Sequence, residues 1–284
     1  MILALLALAA VQSAAPPAVP VPVTPPAPAA AARARAPSAD ETRLQVCAAL
    51  ARADPAGAVD EGQAWIAQRG GVPARQCLGL GLAGLQRWAP AATVFEQAAR
   101  EAEAQNLPLR ADLWVQAGNA WLAAGENGRA LQAIDAALAV PSLTDALRGE
   151  AQVDRARAQM ALGHADLARQ DLDRALQLAP ADPFAWYLSA ALARRENNLA
   201  RAGTDIARAA QLAPDDPDIT LLAGTIAGLN GNMVEAERLY RRVVQLAPES
   251  EAGRAAAASL ATMREVEVPA VPRPAQPTPA QPQP

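Results

Sequence analysis

The sequence predicts an all-α protein whose core is a stack of antiparallel helix pairs between disordered, proline-rich ends. The tetrapeptide QLAP occurs at residues 177–180, 211–214 and 245–248, and the interval is 34 residues each time. Each interval holds two segments with helical apolar periodicity, separated by a short polar break. This part of the chain is rich in alanine and poor in β-branched and aromatic residues, which favours helices over sheets.

The first 15 residues are predicted to be a signal peptide. Residues 2–11 form an apolar run of about ten residues, which is too short to span a bilayer. Small residues at Ser13, Ala14 and Ala15 follow the run, as a cleavage site requires. No Lys or Arg precedes it, so a disordered Ala-rich leader is the alternative. No cysteine follows at lipoprotein spacing, and we therefore expect a location in the periplasm or outside the cell.

Proline is abundant on both sides of the foldable region. Residues 16–38 consist mostly of Ala, Pro, Val and Arg, and residues 266–284 mostly of Pro, Gln, Val and Ala. Because proline fixes φ and lacks a backbone donor, both segments are predicted to be disordered.

The charge pattern argues against nucleic acid as a partner. All 25 basic residues are arginine, which suggests a GC-rich, bacterial coding sequence, and 29 acidic residues leave a formal net charge of −4. Charges of both signs alternate along the predicted helices, without the basic stripe that would neutralise phosphates.

The N-terminal part of the foldable region, residues 39–110, is predicted to hold two degenerate helix pairs. Segments 42–52 and 57–68 make the first pair. The second pair includes residues 79–98, and its second helix runs to about Gln105.

Four regular units follow, at about 111–145, 149–182, 183–216 and 217–250. Asp182 and Asp216 each precede a proline and so place an N-cap acceptor before the first helical position. The leucine of each QLAP is predicted to end the second helix of its unit, and the proline to stop it. Near residues 141–146 the chain has four additional residues, so one repeat is longer than the others. A single helix over 251–265 is predicted to cover the end of the stack.

The residues inside these units resemble the tetratricopeptide-repeat (TPR) family, whose pattern is W-x2-L-G-x2-Y…A-x3-F…P. The matching residues are Trp114, Gly118, Trp121, Ala130, Ala156, Ala168, Pro180, Trp186, Ala190, Ala202, Pro214, Gly224, Ala236, Tyr240 and Pro248. The resemblance implies a right-handed α-solenoid in which the first helices line a concave groove. In the unit from Gly149, Arg155 and Gln159 replace apolar residues, so we expect its first helix to pack loosely.

No motif in the sequence supports catalysis, a cofactor or a metal. The run GLGLAG at residues 79–84 matches a dinucleotide fingerprint, but it lacks the preceding strand and falls where a repeat helix needs small residues. His164 is the only histidine and follows Gly163 in a predicted turn, without a second ligand or an adjacent nucleophile. The sequence therefore predicts a protein that is not an enzyme.

The TPR resemblance assigns a set of side chains to the concave groove. They are Gln116, Asn119, Arg157, Tyr187, Arg194, Leu221 and Thr225. Asn119 is expected to bond an extended peptide backbone, Arg157 and Arg194 to take a carboxylate, and Tyr187 to offer a stacking face. The full lysine-and-asparagine clamp of chaperone-binding TPR modules is absent. The alternative is that these are ordinary solvated residues.

The leading functional hypothesis is a non-enzymatic protein–protein interaction module of the bacterial cell envelope, which binds a peptide or protein in the groove. The second hypothesis is that the protein is a structural component of an envelope assembly, with the proline-rich ends as spacers. An enzyme with TPR architecture is a third, without support from particular residues. No small-molecule substrate is evident, and the oligomeric state is left open.

The two cysteines, Cys47 and Cys77, are predicted to form a disulfide. Export would place the chain in an oxidising compartment, where an isolated pair of cysteines tends to be bridged. Both lie in first helices of consecutive units, which should run side by side. The alternative is two buried free thiols that act as small apolar residues.

Overall fold

The structure, a computed structural model, describes residues 36–267, with side chains to residue 264. The predicted signal peptide (1–15), nearly all of the linker (16–38) and nearly all of the tail (266–284) lie outside the described residues. Ser38 begins the compact unit to which every described helix belongs. Thirteen α-helices and no strand occur between residues 36 and 267, which confirms the prediction of an all-α fold.

Six helix pairs and one final helix make up the described part of the chain. The pairs are α1 (Ala39–Ala53) with α2 (Pro55–Ala67), α3 (Gly71–Gly84) with α4 (Trp88–Ala104), α5 (Arg110–Ala123) with α6 (Asn127–Leu138), α7 (Asp145–Ala161) with α8 (Ala165–Leu178), α9 (Pro183–Arg195) with α10 (Leu199–Leu212), and α11 (Pro217–Leu229) with α12 (Met233–Leu246). The final helix is α13 (Glu251–Glu267). None of these helices is long and apolar enough to cross a membrane.

Local chemistry sets where the regular helices begin and end. The Asp182 carboxylate accepts from the backbone N–H of Phe184 at 2.9 Å, and Asp216 caps α11 in the same way. Each QLAP leucine is the last residue of its helix, in α8, α10 and α12. The indole of Trp186 donates to the carbonyl oxygen of Pro180 at 3.0 Å, so the proline also ties one repeat to the next.

The turn inside each regular pair contains one residue with left-handed backbone. These residues are Gly125, Gly163, Asn197 and Gly231, with φ between 58° and 82°. Glycine and asparagine tolerate this conformation at low cost, so the turn recurs with the repeat.

The additional residues of the first regular unit lengthen helix α7 at its start. Thr144 accepts from the backbone N–H of Leu147 at 3.3 Å, and α7 begins at Asp145. The predicted boundary at Gly149 therefore lies one turn inside a 17-residue helix.

The pairs stack so that successive first helices touch. α5 contacts α7, α7 contacts α9, α9 contacts α11, and α11 contacts α13, while each second helix packs between its own first helix and the next one. Buried apolar clusters follow the stack from Cys47 and Trp65, through Trp121 and Ile134, to Tyr240. Because one pair cannot bury its apolar face alone, each depends on its neighbours.

The expectation that α7 packs loosely at Arg155 is wrong. Arg155 donates to both carboxylate oxygens of Asp171 on α8, at 2.7 and 3.0 Å, and to Asp135 on α6 at 2.8 Å. The Asp171 side chain is only 5% exposed. A buried ion pair thus fills the place where the repeat pattern has an apolar side chain. Gln159 hydrogen-bonds with the His164 ring at 2.8 Å.

The glycines of GLGLAG serve helix packing within α3. A Cβ on Gly79 would come within 2.5 Å of the Phe95 ring, and one on Gly81 within 2.7 Å of the Val59 backbone nitrogen. No strand precedes them in the described residues, so the local structure is not that of a dinucleotide fingerprint.

Cys47 on α1 and Cys77 on α3 are joined by a disulfide, with their Cα atoms 5.7 Å apart. Both cysteines are fully buried. The bond connects α1 to the next first helix, at the end of the stack where α1 has a neighbour on one side only among the described residues.

We predict that removing the disulfide loosens α1 selectively. Closing a loop of about 30 residues contributes roughly 3 kcal/mol by restricting the unfolded chain, and repeat proteins open locally from their ends. Hydrogen exchange of Cys47→Ala/Cys77→Ala should show much faster exchange in α1, with exchange in α9 unchanged. Equal protection of α1 with and without the disulfide would contradict this.

Candidate partner-binding groove

The side chains assigned to the groove come from four consecutive first helices. Gln116 and Asn119 lie on α5, Arg157 on α7, Tyr187 and Arg194 on α9, and Leu221 and Thr225 on α11. These helices contact one another in sequence. The assignment of the named residues to one concave side follows from the TPR resemblance.

An aromatic pair on α9 lies at the middle of this row. The rings of Phe184 and Tyr187 are stacked at a centroid distance of 6.1 Å, and the Arg157 guanidinium carbon lies 5.7 Å from the Phe184 ring centre. Phe184 is 43% exposed, which is unusual for a phenylalanine. The sequence analysis missed Phe184, although it precedes Tyr187 by three residues and so shares its helix face.

Arg157 is already engaged by a buried carboxylate. It donates to Asp154 at 3.0 Å, and Asn119 hydrogen-bonds the same carboxylate. Burial raises the pKa of Asp154, while the bonds from Arg157 and Asn119 oppose the rise. Of the side chains predicted to contact a peptide, Arg157 and Asn119 therefore have a partner within the protein.

Arg194 has no such partner among residues 36–267. Its Nε atom is buried without a hydrogen bond, and the guanidinium forms no ion pair within the described residues. Every other partly buried arginine among residues 36–267 makes a hydrogen bond or an ion pair. A half-buried guanidinium without an acceptor is costly, because the desolvated donors lose their bonds to water.

The phenol of Tyr187 is affected by the charges of Arg194, Asp216 and Asp218. Burial, and then the charges of Asp218 and Asp216, raise the pKa of its phenol, so the hydroxyl is neutral at physiological pH. The centre of the groove thus presents a neutral aromatic surface beside an unpaired cation.

The remaining predicted side chains contact other parts of the fold. Gln116 accepts from Gln76 at 3.2 Å. The Thr225 hydroxyl donates to the Leu221 carbonyl at 3.0 Å, and Leu221 packs against the apolar cluster of α12 and α13. The structure therefore concentrates the available binding chemistry on α9. Within residues 36–267 there is no group of three His, Cys, Asp or Glu side chains arranged to hold a metal ion.

Comparison with known proteins identifies the repeat. A tetratricopeptide-repeat family model matches residues 149–182. The chain therefore contains a tetratricopeptide repeat at residues 149–182. No protein of curated function matches its sequence.

Solved structures share this TPR fold at low sequence identity. PilF of Pseudomonas aeruginosa is 14% identical, with a TM-score of 0.62 over 78% of this chain and 97% of that one. TTC0263 of Thermus thermophilus, described as a thermophilic TPR protein, is 20% identical, with a TM-score of 0.54 over 67% of this chain and 99% of that one. MamA from Desulfovibrio magneticus RS-1 is 17% identical, with a TM-score of 0.51 over 63% and 97% of the two chains. These likenesses concern the fold alone.

The TPR register shows that one groove position changes along the stack. Leu122, Met160, Arg194 and Gly228 are equivalent, in α5, α7, α9 and α11. Arg194 thus occupies a position that is apolar in the two preceding repeats, and this fits a specific role for its charge.

We predict that Asp154→Asn stabilises the protein at neutral pH. The pKa of Asp154 in the folded protein lies above its ordinary value of 3.8, so above the raised pKa the ionised carboxylate costs stability. As the pH falls through the raised pKa toward 3.8, the folded protein takes up the proton first and this cost disappears. Urea unfolding should show the advantage of the variant at neutral pH and its loss in acid.

The control for this experiment is Asp60→Asn, which removes the same charge from an exposed position on α2. It should change stability little at either pH. A destabilised Asp154→Asn variant at neutral pH would mean that the bond with Arg157 outweighs the cost of burial.

Proposed function

We propose that this TPR protein is a non-enzymatic protein-interaction module of the bacterial cell envelope. Its groove at α7 and α9 binds a segment of a protein partner that carries a carboxylate beside an apolar side chain. The observation that carries the proposal is Arg194, the half-buried arginine that has no acceptor within the described residues.

The surroundings of Arg194 fit a ligand with both features. A guanidinium binds a carboxylate through charge-assisted, often bidentate hydrogen bonds, and partial burial strengthens the attraction. The stacked Phe184 and Tyr187 rings offer an apolar surface next to it, since Phe184 is partly exposed. A bound carboxylate would supply the acceptor that the fold withholds from Arg194.

The location in the envelope rests on two further features. The sequence begins with an apolar run followed by small residues, as in an exported protein. The disulfide between Cys47 and Cys77 is the kind of bond that persists in an oxidising compartment.

We predict that Arg194→Gln weakens partner binding by about tenfold or more, since a hydrogen bond to a charged group is worth roughly 1.5–3 kcal/mol. Peptides selected on the full-length protein from a random library should be enriched in a carboxylate next to an aromatic or aliphatic residue. Fluorescence titration of the selected peptides then compares the variant with the parent protein.

Arg195→Gln is the matched control, because Arg195 is the next residue on α9 and is exposed. It should leave the affinity nearly unchanged. Tyr187→Ala should weaken binding of peptides with an apolar neighbour more than binding of plain acidic ones. If Arg195→Gln and Arg194→Gln reduce affinity equally, the effect is one of net charge and the groove is not the site.

Export is tested separately. We predict that the chain expressed in a bacterium is cleaved near Ser13–Ala15 and is recovered from the periplasm with Cys47 linked to Cys77. N-terminal sequencing and mass spectrometry of non-reduced peptides measure both. Mature protein that begins at Met1 or Ile2, with two free thiols, would overturn the envelope location and leave peptide binding at Arg194 unaffected.

A further inference from the structure

An apolar cavity of about 550 Å³ lies at the C-terminal end of the stack, one repeat beyond Arg194. It lies between helices α11, α12 and α13 and is open to solvent, and its lining includes Leu229, Met233, Tyr240, Thr262 and Met263. No acidic or basic side chain of the described residues lines it. Leu229 and Met233 are each more than half exposed at its rim, so the stack leaves apolar surface uncovered here.

Gly228, which has no side chain, is part of the cavity lining. In the three preceding repeats the equivalent position carries Leu122, Met160 or Arg194. A Cβ on Gly228 would meet only the Cβ of Ala236, at 3.7 Å, which is ordinary van der Waals contact. The space that a side chain of this repeat would fill is therefore open to another group.

We propose that residues 268–284 of the same chain dock in this cavity through Val268 and Val271. The segment lies outside the described residues and continues directly from α13, which forms one wall of the cavity. Its only charged residue is Arg273, and its valines, alanines and prolines match the uncharged lining.

The chain is long enough for this return. Met263 lines the cavity four residues before the end of α13, which is about 6 Å along the helix axis. Four residues of extended chain cover at most about 13 Å, so a chain that reverses after residue 267 is long enough to bring Val271 back to the level of Met263. A short tether also holds the segment at an effective concentration in the millimolar range, so weak apolar contacts suffice.

Docking there occupies the end of the groove, including Thr225, and leaves Arg194 one repeat away. The docked segment thereby covers the C-terminal end of the groove and shortens the part that is open to a partner. The inference is independent of the proposed function, since it rests on the cavity and on the chain's own continuation.

The test uses the full-length protein with a nitroxide attached through Gln276→Cys. Cys47 and Cys77 are already bonded to each other, so this position supplies the reactive thiol. Methionine methyl groups labelled with ¹³C report proximity, because Met233 lies in the cavity on α12 and Met160 lies on α7, two repeats away. The Met233 signal should lose most of its intensity to the spin label, and the Met160 signal should keep it.

Two variants decide whether the cavity is responsible. Gly228→Leu restores the side chain that Leu122 provides in an earlier repeat, and Leu is a better helix former than Gly, so the fold is retained. In this variant, and in Val268→Asp/Val271→Asp, the Met233 signal should recover. An unbroadened Met233 signal in the parent protein, or equal broadening in Gly228→Leu, would overturn the proposal.

A mixed sample separates the segment's own cavity from that of a second copy. Spin-labelled protein without ¹³C is combined with ¹³C-labelled protein without the spin label. Met233 should then keep its intensity. Loss of the signal in the mixture would show docking between two copies of the chain and would contradict docking within one chain.

Discussion

The close approach of paired helices at one small residue per repeat is the constraint on which the rest of the stack depends. A Cβ on Gly118 would lie 2.5 Å from Ile134, and one on Gly224 would lie 2.8 Å from the Tyr240 ring. Ala156 and Ala190 occupy the same position in the two repeats between them and are fully buried. This contact sets the distance between the two helices of a pair, and the turn with its left-handed residue follows from it. Because a small residue recurs at this position in each of these repeats, the first helices come side by side and groove positions recur.

Arginines connect neighbouring repeats where the apolar pattern is interrupted. Arg155 joins α6, α7 and α8 through Asp135 and Asp171, and Arg201 on α10 bonds both Asp173 and Asp205. The ion pairs in which the carboxylate is exposed contribute little to stability. The buried carboxylates are different, since removal of the arginine would leave an uncompensated charge in the core. These arginines therefore have a structural role. Arg194 differs from them because it has no hydrogen-bond or ion-pair partner among the described residues.

Much of the fold was predictable because its signals are local. The caps at Asp182 and Asp216 and the helix ends at the QLAP leucines depend on residues within a single turn. The pairing of Arg155 was not predictable, because its acceptors lie 16 and 20 residues away on other helices. The groove residues were predicted from the repeat register. The register places a residue on one face of a helix, but it does not show whether that side chain already has a partner within the protein. Arg157 and Thr225 share that face with Arg194, yet only the structure shows that Arg194 alone of the three has no hydrogen bond.

The two ends of the stack meet the same physical problem with different means. A terminal helix lacks a neighbour on one side, so its packing energy is lower than that of an internal helix. At the N-terminal end a covalent bond between buried cysteines compensates for this. At the C-terminal end α13 covers Tyr240 and Val243 with small side chains, Ala252 and Ala256, which bury little apolar area of their own. A cavity whose lining includes Gly228 lies beside that helix. The C-terminal end of the groove can therefore accept different groups most easily, because its contacts are apolar, shallow and uncharged. The charge of Arg194 lies one repeat further inward, on a helix that is packed on both sides.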